Sequence, residues 1–153
     1  MADTSLSEKK IGLLIWQASN YWQSNLRKIL KPFNLSLNEY LILETILMLK
    51  NNHNEISQND ISRYSGIDIS VISVNFKVLE SKNLVSRSIK YDNRKKIVEI
   101  LSSGISLFNK VNPLILKQED NIFGKLKNEN YNFTNSLKLL LGKSLRIKAN
   151  QLK

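Results

Sequence analysis

The hydrophobic period of this chain changes partway along, and the change limits the folds open to it. Ser57-Gln-Asn-Asp60 carries an N-terminal capping signal and opens a short helix through Ile61 and Tyr64. Gly66 ends that helix, because glycine accepts the left-handed turn conformation without penalty. Asp68 can cap the next helix, which should reach Ser81 or Lys82. Two helices joined by a short turn containing glycine form a helix-turn-helix. The spacing then becomes strand-like. Leu84-Val-Ser-Arg-Ser-Ile89 and Lys96-Ile-Val-Glu-Ile-Leu101 read as two strands, with turn chemistry at Tyr91-Asp-Asn93. A hairpin directly after a helix-turn-helix is a wing. The two features in this order are far more specific than either alone.

The flanking segments are helical. Apolar residues from Ile11 to Leu30 recur every three or four positions, which predicts a helix from about Glu8 to Lys31, stopped by Pro32. Ser36 and Glu39 form a capping box ahead of a helix reaching about Lys50. Asn51-Asn-His-Asn54 breaks it, and Glu55-Ile56 can be a brief strand. A further helix is expected from about Ser103 to Lys127, kinked at Pro113, and a last one from about Tyr131 to Asn150. Only 5 glycines and 2 prolines in 153 residues favour long helices over a many-turned β fold. The expected class is therefore mainly α with a small β-hairpin: a winged helix-turn-helix over 35–102, with helical dimerisation regions at 1–34 and 103–153. The outer helices are more apolar than a DNA-reading unit needs, and a second copy of the chain is the simplest cover for them.

The formal net charge of +10 favours a polyanionic partner, nucleic acid first and an anionic membrane second. No stretch approaches the roughly 20 apolar residues of a membrane span, and the polar N-terminus lacks a signal-peptide core, so a cytoplasmic protein without membrane contact is expected. The chain has no cysteine, which removes disulfides, thiolate catalysis and thiol redox sensing. His53 is the single histidine and stands away from any ligand cluster, so neither a metal site nor a serine triad is expected. No Gly-rich phosphate loop is present. Neither a cofactor nor an enzymatic activity is anticipated.

Several strings resemble the MarR family of bacterial regulators. They are Leu35-Ser-Leu-Asn-Glu-Tyr40, Ile67-Asp-Ile-Ser-Val-Ile72 and Leu79-Glu-Ser-Lys-Asn-Leu-Val-Ser-Arg87, then Asp92-Asn-Arg94-Lys-Lys and Glu99-Ile-Leu-Ser-Ser-Gly104 in the wing and beyond. The resemblance implies a homodimer with interlocked terminal helices and two winged lobes on a pseudo-palindromic site in double-stranded DNA. It also implies a cleft for a small aromatic effector near the junction of the dimer and DNA lobes, where Trp16, Tyr21, Trp22 and Tyr40 are the aromatic candidates. Three departures stand out. Asn83 replaces the usual glycine after the recognition helix, and asparagine tolerates the same left-handed geometry. The loop between Arg87 and Asp92 is about a residue short. The recognition helix is poor in basic and amide side chains.

The wing carries the clearest charge signal. Arg87, Lys90, Arg94, Lys95 and Lys96 face a single acid, Asp92. Arginine at a hairpin tip can enter a narrow A·T minor groove, so Arg94 is the expected groove-reaching residue, with Lys90 and Lys95 on phosphates. Asp92 is expected to orient Arg94 or Arg87. On the recognition helix, Ile72, Phe76 and Leu79 take core positions, leaving Ser70, Val71, Ser73, Val74, Lys77 and Val78 outward. Serines bond base edges with little discrimination, and valines can meet thymine methyls. The stripe of Val71, Val74 and Val78 is also open to a protein-contact reading, but the wing and the overall charge favour DNA. Gln58 and Asn59 are either phosphate contacts or simple capping residues.

Overall fold

The structure, a computed structural model, describes residues 8–89 and 96–142. The elements are α1 (Ile11–Leu30), a 3₁₀ turn at Lys31–Phe33, α2 (Leu37–Lys50), β1 (Ile56–Ser57), α3 (Gln58–Ser65), α4 (Ile69–Ser81), β2 (Val85–Ile89), β3 (Lys96–Ile100), α5 (Ser102–Phe123), a 3₁₀ segment at Gly124–Glu129 and α6 (Asn130–Leu141). The chain divides into two compact units, Met1–Ile115 and Leu116–Lys153.

In the first unit, Pro32 lies in the 3₁₀ turn and Asn34 turns the chain in the left-handed conformation at φ 55°. The capping box ahead of α2 is complete: Ser36 Oγ accepts from the Glu39 amide at 3.1 Å, and Glu39 Oε1 accepts from the Ser36 amide at 3.2 Å. Such a cap contributes about 1 kcal/mol. The core gathers Leu26 and Leu30 of α1, Leu43 of α2, Ile61 of α3, and Phe76 and Leu79 of α4, all with no measurable exposure. Each such side chain stabilises by roughly 1.5–3 kcal/mol on burial. The N-terminal half of α1 is different. Ile11, Leu13, Ile15 and Trp16 are exposed, although they continue the apolar period.

The sheet order is β1-β3-β2, antiparallel throughout. The register pairs Val85 with Ile100 and Arg87 with Val98, and places Ile56 opposite Val98 on the other side of β3. Asn83 is left-handed at φ 59°, in the position where glycine is usual. The start of α5 packs tightly on Leu84, the residue just ahead of β2. A Cβ at Gly104 would lie 2.3 Å from the Leu84 carbonyl oxygen.

Pro113 sits within α5 as expected, but the helix ends at Phe123 rather than near Lys127. Gly124 opens the 3₁₀ segment that follows, and Lys127 is non-helical within it at φ 50°, ψ −121°. In the second unit, α6 closes on Gly142 at φ 70°, whose amide donates to the Leu139 carbonyl, a glycine stop signal within the span predicted as helix. Residues 143–153, which carry the rest of that prediction, lie outside the described residues. Tyr131, Leu139, Leu140 and Leu141 of α6 are exposed. Among the described residues, no helix is long and apolar enough to cross a membrane.

Candidate nucleic-acid interface

The helix-turn-helix is held by short-range polar contacts at each boundary. Ser57 Oγ accepts from the Asp60 amide at 3.1 Å, and Asp60 Oδ2 accepts from the Ser57 amide at 2.9 Å. Gly66 is left-handed at φ 80° and its amide donates to the Ser62 carbonyl at 2.8 Å. Ser62 Oγ donates to the Ile67 carbonyl at 2.7 Å, and Asp68 Oδ1 caps α4 by accepting from the Ser70 amide at 2.8 Å. These bonds tie the turn between α3 and α4 to the helices on either side.

Helix α4 buries Ile72, Phe76 and Leu79 and turns the opposite face to solvent. Ser70, Val74, Lys77 and Val78 are exposed, with Val74 at 64%, while Val71 and Ser73 are half-buried at the margins of this face. Lys77 is the one cation on α4 within the outward face. Ser70 Oγ is already engaged with Asp68. Chemically, this surface offers methyl groups and hydroxyls, with little charge.

Two of the residues expected to meet DNA lie elsewhere. Gln58 is only 6% exposed, because it follows β1, both of whose residues are buried, and its Nε2 has no hydrogen-bond partner. Its neighbour Asn59 is exposed. Arg87 also turns inward: Nε lies 2.6 Å from Glu80 Oε1, and the guanidinium stands 5.9 Å from the Phe76 ring centroid. The alternation from Val85 signals this, since residues two apart on a strand share a face. Lys90, Asp92, Arg94 and Lys95 lie outside the described residues.

The capping carboxylates give the motif a pH dependence. Burial alone raises the Asp60 carboxyl pKa, but hydrogen bonds from the Ser57 amide and hydroxyl, together with Arg63, hold it below its ordinary 3.8. The Ser70 hydroxyl and amide hold Asp68 below the same value. A carboxyl with a folded pKa below its unfolded one contributes stability that is complete above 3.8. That contribution disappears as pH falls through the lowered folded pKa. The double variant Asp60→Asn, Asp68→Asn should therefore show a flatter loss of stability below about pH 4 in denaturant titrations. An acid limb as steep as that of the parent protein would place the titrating groups elsewhere.

The four aromatic candidates do not converge on one cleft. Tyr40 is 1% exposed, stacked on Phe108 at 5.4 Å between centroids, with its hydroxyl donating to Asn112 Oδ1 at 2.9 Å. It is a core residue rather than a ligand wall. Trp16 and Tyr21 are exposed, while Trp22 lines a cleft of about 200 Å³ with Arg27, Leu37 and Asn38. A larger cleft of about 520 Å³ lies between the end of α2 and β3, bordered by Lys50, His53, Glu55 and Glu99. Ile46, Ile56 and Val98 also line it and are buried. Among the described residues, no group of three potential metal ligands occurs.

A capped helix-turn-helix with a three-stranded wing sheet defines the winged-helix class of transcription regulators. The chain belongs to the SarA/Rot family of transcriptional regulators, whose family model matches residues 25–111. It is 25% identical over 122 residues to the uncharacterized HTH-type transcriptional regulator YdcH of Bacillus subtilis, covering 78% of this chain and 83% of that protein. Its fold is that of the MarR-type regulators. The MepR–DNA complex of S. aureus superposes with a TM-score of 0.75 at 19% identity, covering 87% of this chain and 95% of that one. A mutant MarR of E. coli complexed with operator DNA gives 0.72 at 18% identity, covering 94% and 99%. Bordetella bronchiseptica BpsR, whose DNA binding is regulated by 6-hydroxynicotinic acid, gives 0.75 at 17% identity, covering 88% and 100%.

Proposed function

We propose that this regulator acts in the cytoplasm as a homodimer that binds double-stranded DNA, with the wing supplying most of the grip and a preference for A·T-rich sites. The observation that carries this reading is the outward face of α4, where Val74 and Val78 stand exposed beside Lys77. Methyl-rich side chains suit thymine, and one lysine supplies little phosphate attraction. The remaining attraction must come from charges elsewhere on a +10 chain, and the run from Lys90 to Lys96 is the densest near the motif. Dimerisation is supported by the exposed apolar residues of α1 and α6, which continue a helical period without cover in their own units. DNA complexes of MepR and MarR support the binding mode. The regulation of BpsR by a small aromatic acid supports an effector, for which the cleft beside Trp22 and Arg27 is the candidate seat.

Gel-shift titration tests this directly. Affinity should fall by about 10³–10⁵ between 50 and 200 mM salt, as expected for 6–10 phosphate contacts. Arg94→Ala should weaken binding roughly ten- to a hundredfold while leaving the dimer folded. Unchanged affinity in that variant would remove the wing from the mechanism.

The 64% exposure of Val74 also favours a second reading, a homodimer of the same fold that uses this face to hold a protein and no longer reads sequence. Selection from random duplexes separates the two. An enriched motif supports DNA reading. No motif, together with partner capture lost in Val74→Asp, supports the second.

A further inference from the structure

We propose that Arg87 is a positioning residue that fixes the root of the wing against the recognition helix, so that the two DNA-reading elements are presented as one rigid piece. This rests on the DNA-binding reading above. The sheet geometry sets it up. Val85 and Arg87 share one face of β2, and the register places them opposite Ile100 and Val98, both buried. An arginine therefore enters the layer between sheet and helix, and only 16% of its side chain remains exposed.

Its carboxylate partner and its ring partner both lie on α4. Its Nε is 2.6 Å from Glu80, and its guanidinium faces Phe76, one turn earlier, at 5.9 Å. Phe76 has no exposure. The turn of helix between these two residues carries Lys77 and Val78 on the outside. Arg87 thus grips from behind the same turn that offers side chains to solvent. From Arg87, β2 runs on to Ile89. A planar guanidinium can stack on a ring while its fixed fork of donors bonds a carboxylate, whereas an ammonium is a point charge on a flexible stem.

The arrangement is costly. Arg87 Nη1 is buried without a hydrogen-bond partner, and a leucine in its place would carry no such penalty. A half-buried ion pair adds little net stability over an apolar pair, but it restricts geometry: the carboxylate and guanidinium favour one relative position of helix and strand. The offset between major-groove and minor-groove contacts depends on that position.

The test uses the full chain, a duplex carrying the motif that the parent protein enriches from a random pool, and a random duplex. Affinities are measured across a salt series for Arg87→Met, Arg87→Lys, Glu80→Gln and the double variant Arg87→Met, Glu80→Gln, with thermal unfolding alongside. Arg87→Met and Glu80→Gln should each reduce the preference for the enriched duplex by about tenfold or more, and the double variant should lose no more than either alone. The slope of affinity against salt should stay unchanged, because no phosphate contact is removed. Arg87→Lys should recover part of the preference. If Arg87→Met unfolds, Glu80→Gln carries the test alone, since it keeps the arginine. A direct DNA contact gives the opposite pattern: Glu80→Gln binds as well as the parent or better, and Arg87→Met lowers the salt slope by about one. Either that pattern or an unchanged preference in Glu80→Gln overturns the assignment while leaving DNA binding in place. A parent protein that binds no duplex, or prefers none, overturns the DNA reading and the assignment together.

Discussion

Gly104→Val is expected to unfold the winged lobe or to destabilise it by about 3 kcal/mol or more. The first Cβ atom alone would sit 2.3 Å from the Leu84 carbonyl oxygen and 2.9 Å from Ile100 Cγ1. The isoleucine can shift, but the carbonyl cannot, because it accepts from the Leu101 amide at 2.9 Å where the sheet meets α5. Relief requires α5 to move away from the strand, which opens the joint around Leu84 and Val85. Against a total stability of roughly 5–15 kcal/mol for a typical domain, a loss of this size is large. Gly104→Ala should cost about 2 kcal/mol by the same clash. Denaturant midpoints report both. A midpoint for Gly104→Ala equal to that of the parent would mean that the helix can slide at no cost.

Lys82→Met should cost about 3 kcal/mol, and adding Glu39→Gln should restore most of it. Lys82 Nζ lies 2.7 Å from Glu39 Oε2 and also donates to the Asn34 carbonyl at 2.5 Å. The Glu39 side chain is 7% exposed and Lys82 24%, so removing the lysine strands a carboxylate with little access to water. Glutamine at 39 keeps an oxygen for the Ser36 amide and removes the stranded charge. A double-mutant cycle in urea checks the pair. A Lys82→Met cost below about 1 kcal/mol would show that Glu39 is hydrated once the lysine is gone.

Local chemistry was readable in the sequence and long-range placement was not. The capping residues Ser36, Ser57 and Asp68, the stop at Gly66 and the buried triplet Ile72, Phe76 and Leu79 all follow from spacing within a few residues. Asn83 was readable as a left-handed substitute for glycine, and it adopts φ 59°. Arg87 reads as a wing charge when net charge is counted, and as an inward residue when strand alternation is followed. The structure follows the alternation. Tyr40 reads as an effector wall from aromatic content, yet its partners Phe108 and Asn112 lie on α5, far along the chain. The Lys82–Glu39 pair spans 43 residues and has no local signature. Gln58 shows the same limit. Its position after a cap is visible in the sequence, but its burial depends on β1 being covered.

The two-residue strand β1 has a consequence for how the chain folds. It pairs only with β3, and the whole helix-turn-helix lies between them in sequence. Helices α1 to α4 form from neighbouring segments, whereas β1 must wait for a strand made much later. Closing that long loop pays its entropy for only two residue pairs. During synthesis, the recognition helix can therefore be complete while the sheet that carries the wing is still missing its central strand. Two residue pairs, Ile56 with Val98 and Ser57 with Ile97, then tie the start of the helix-turn-helix to the sheet that carries the wing.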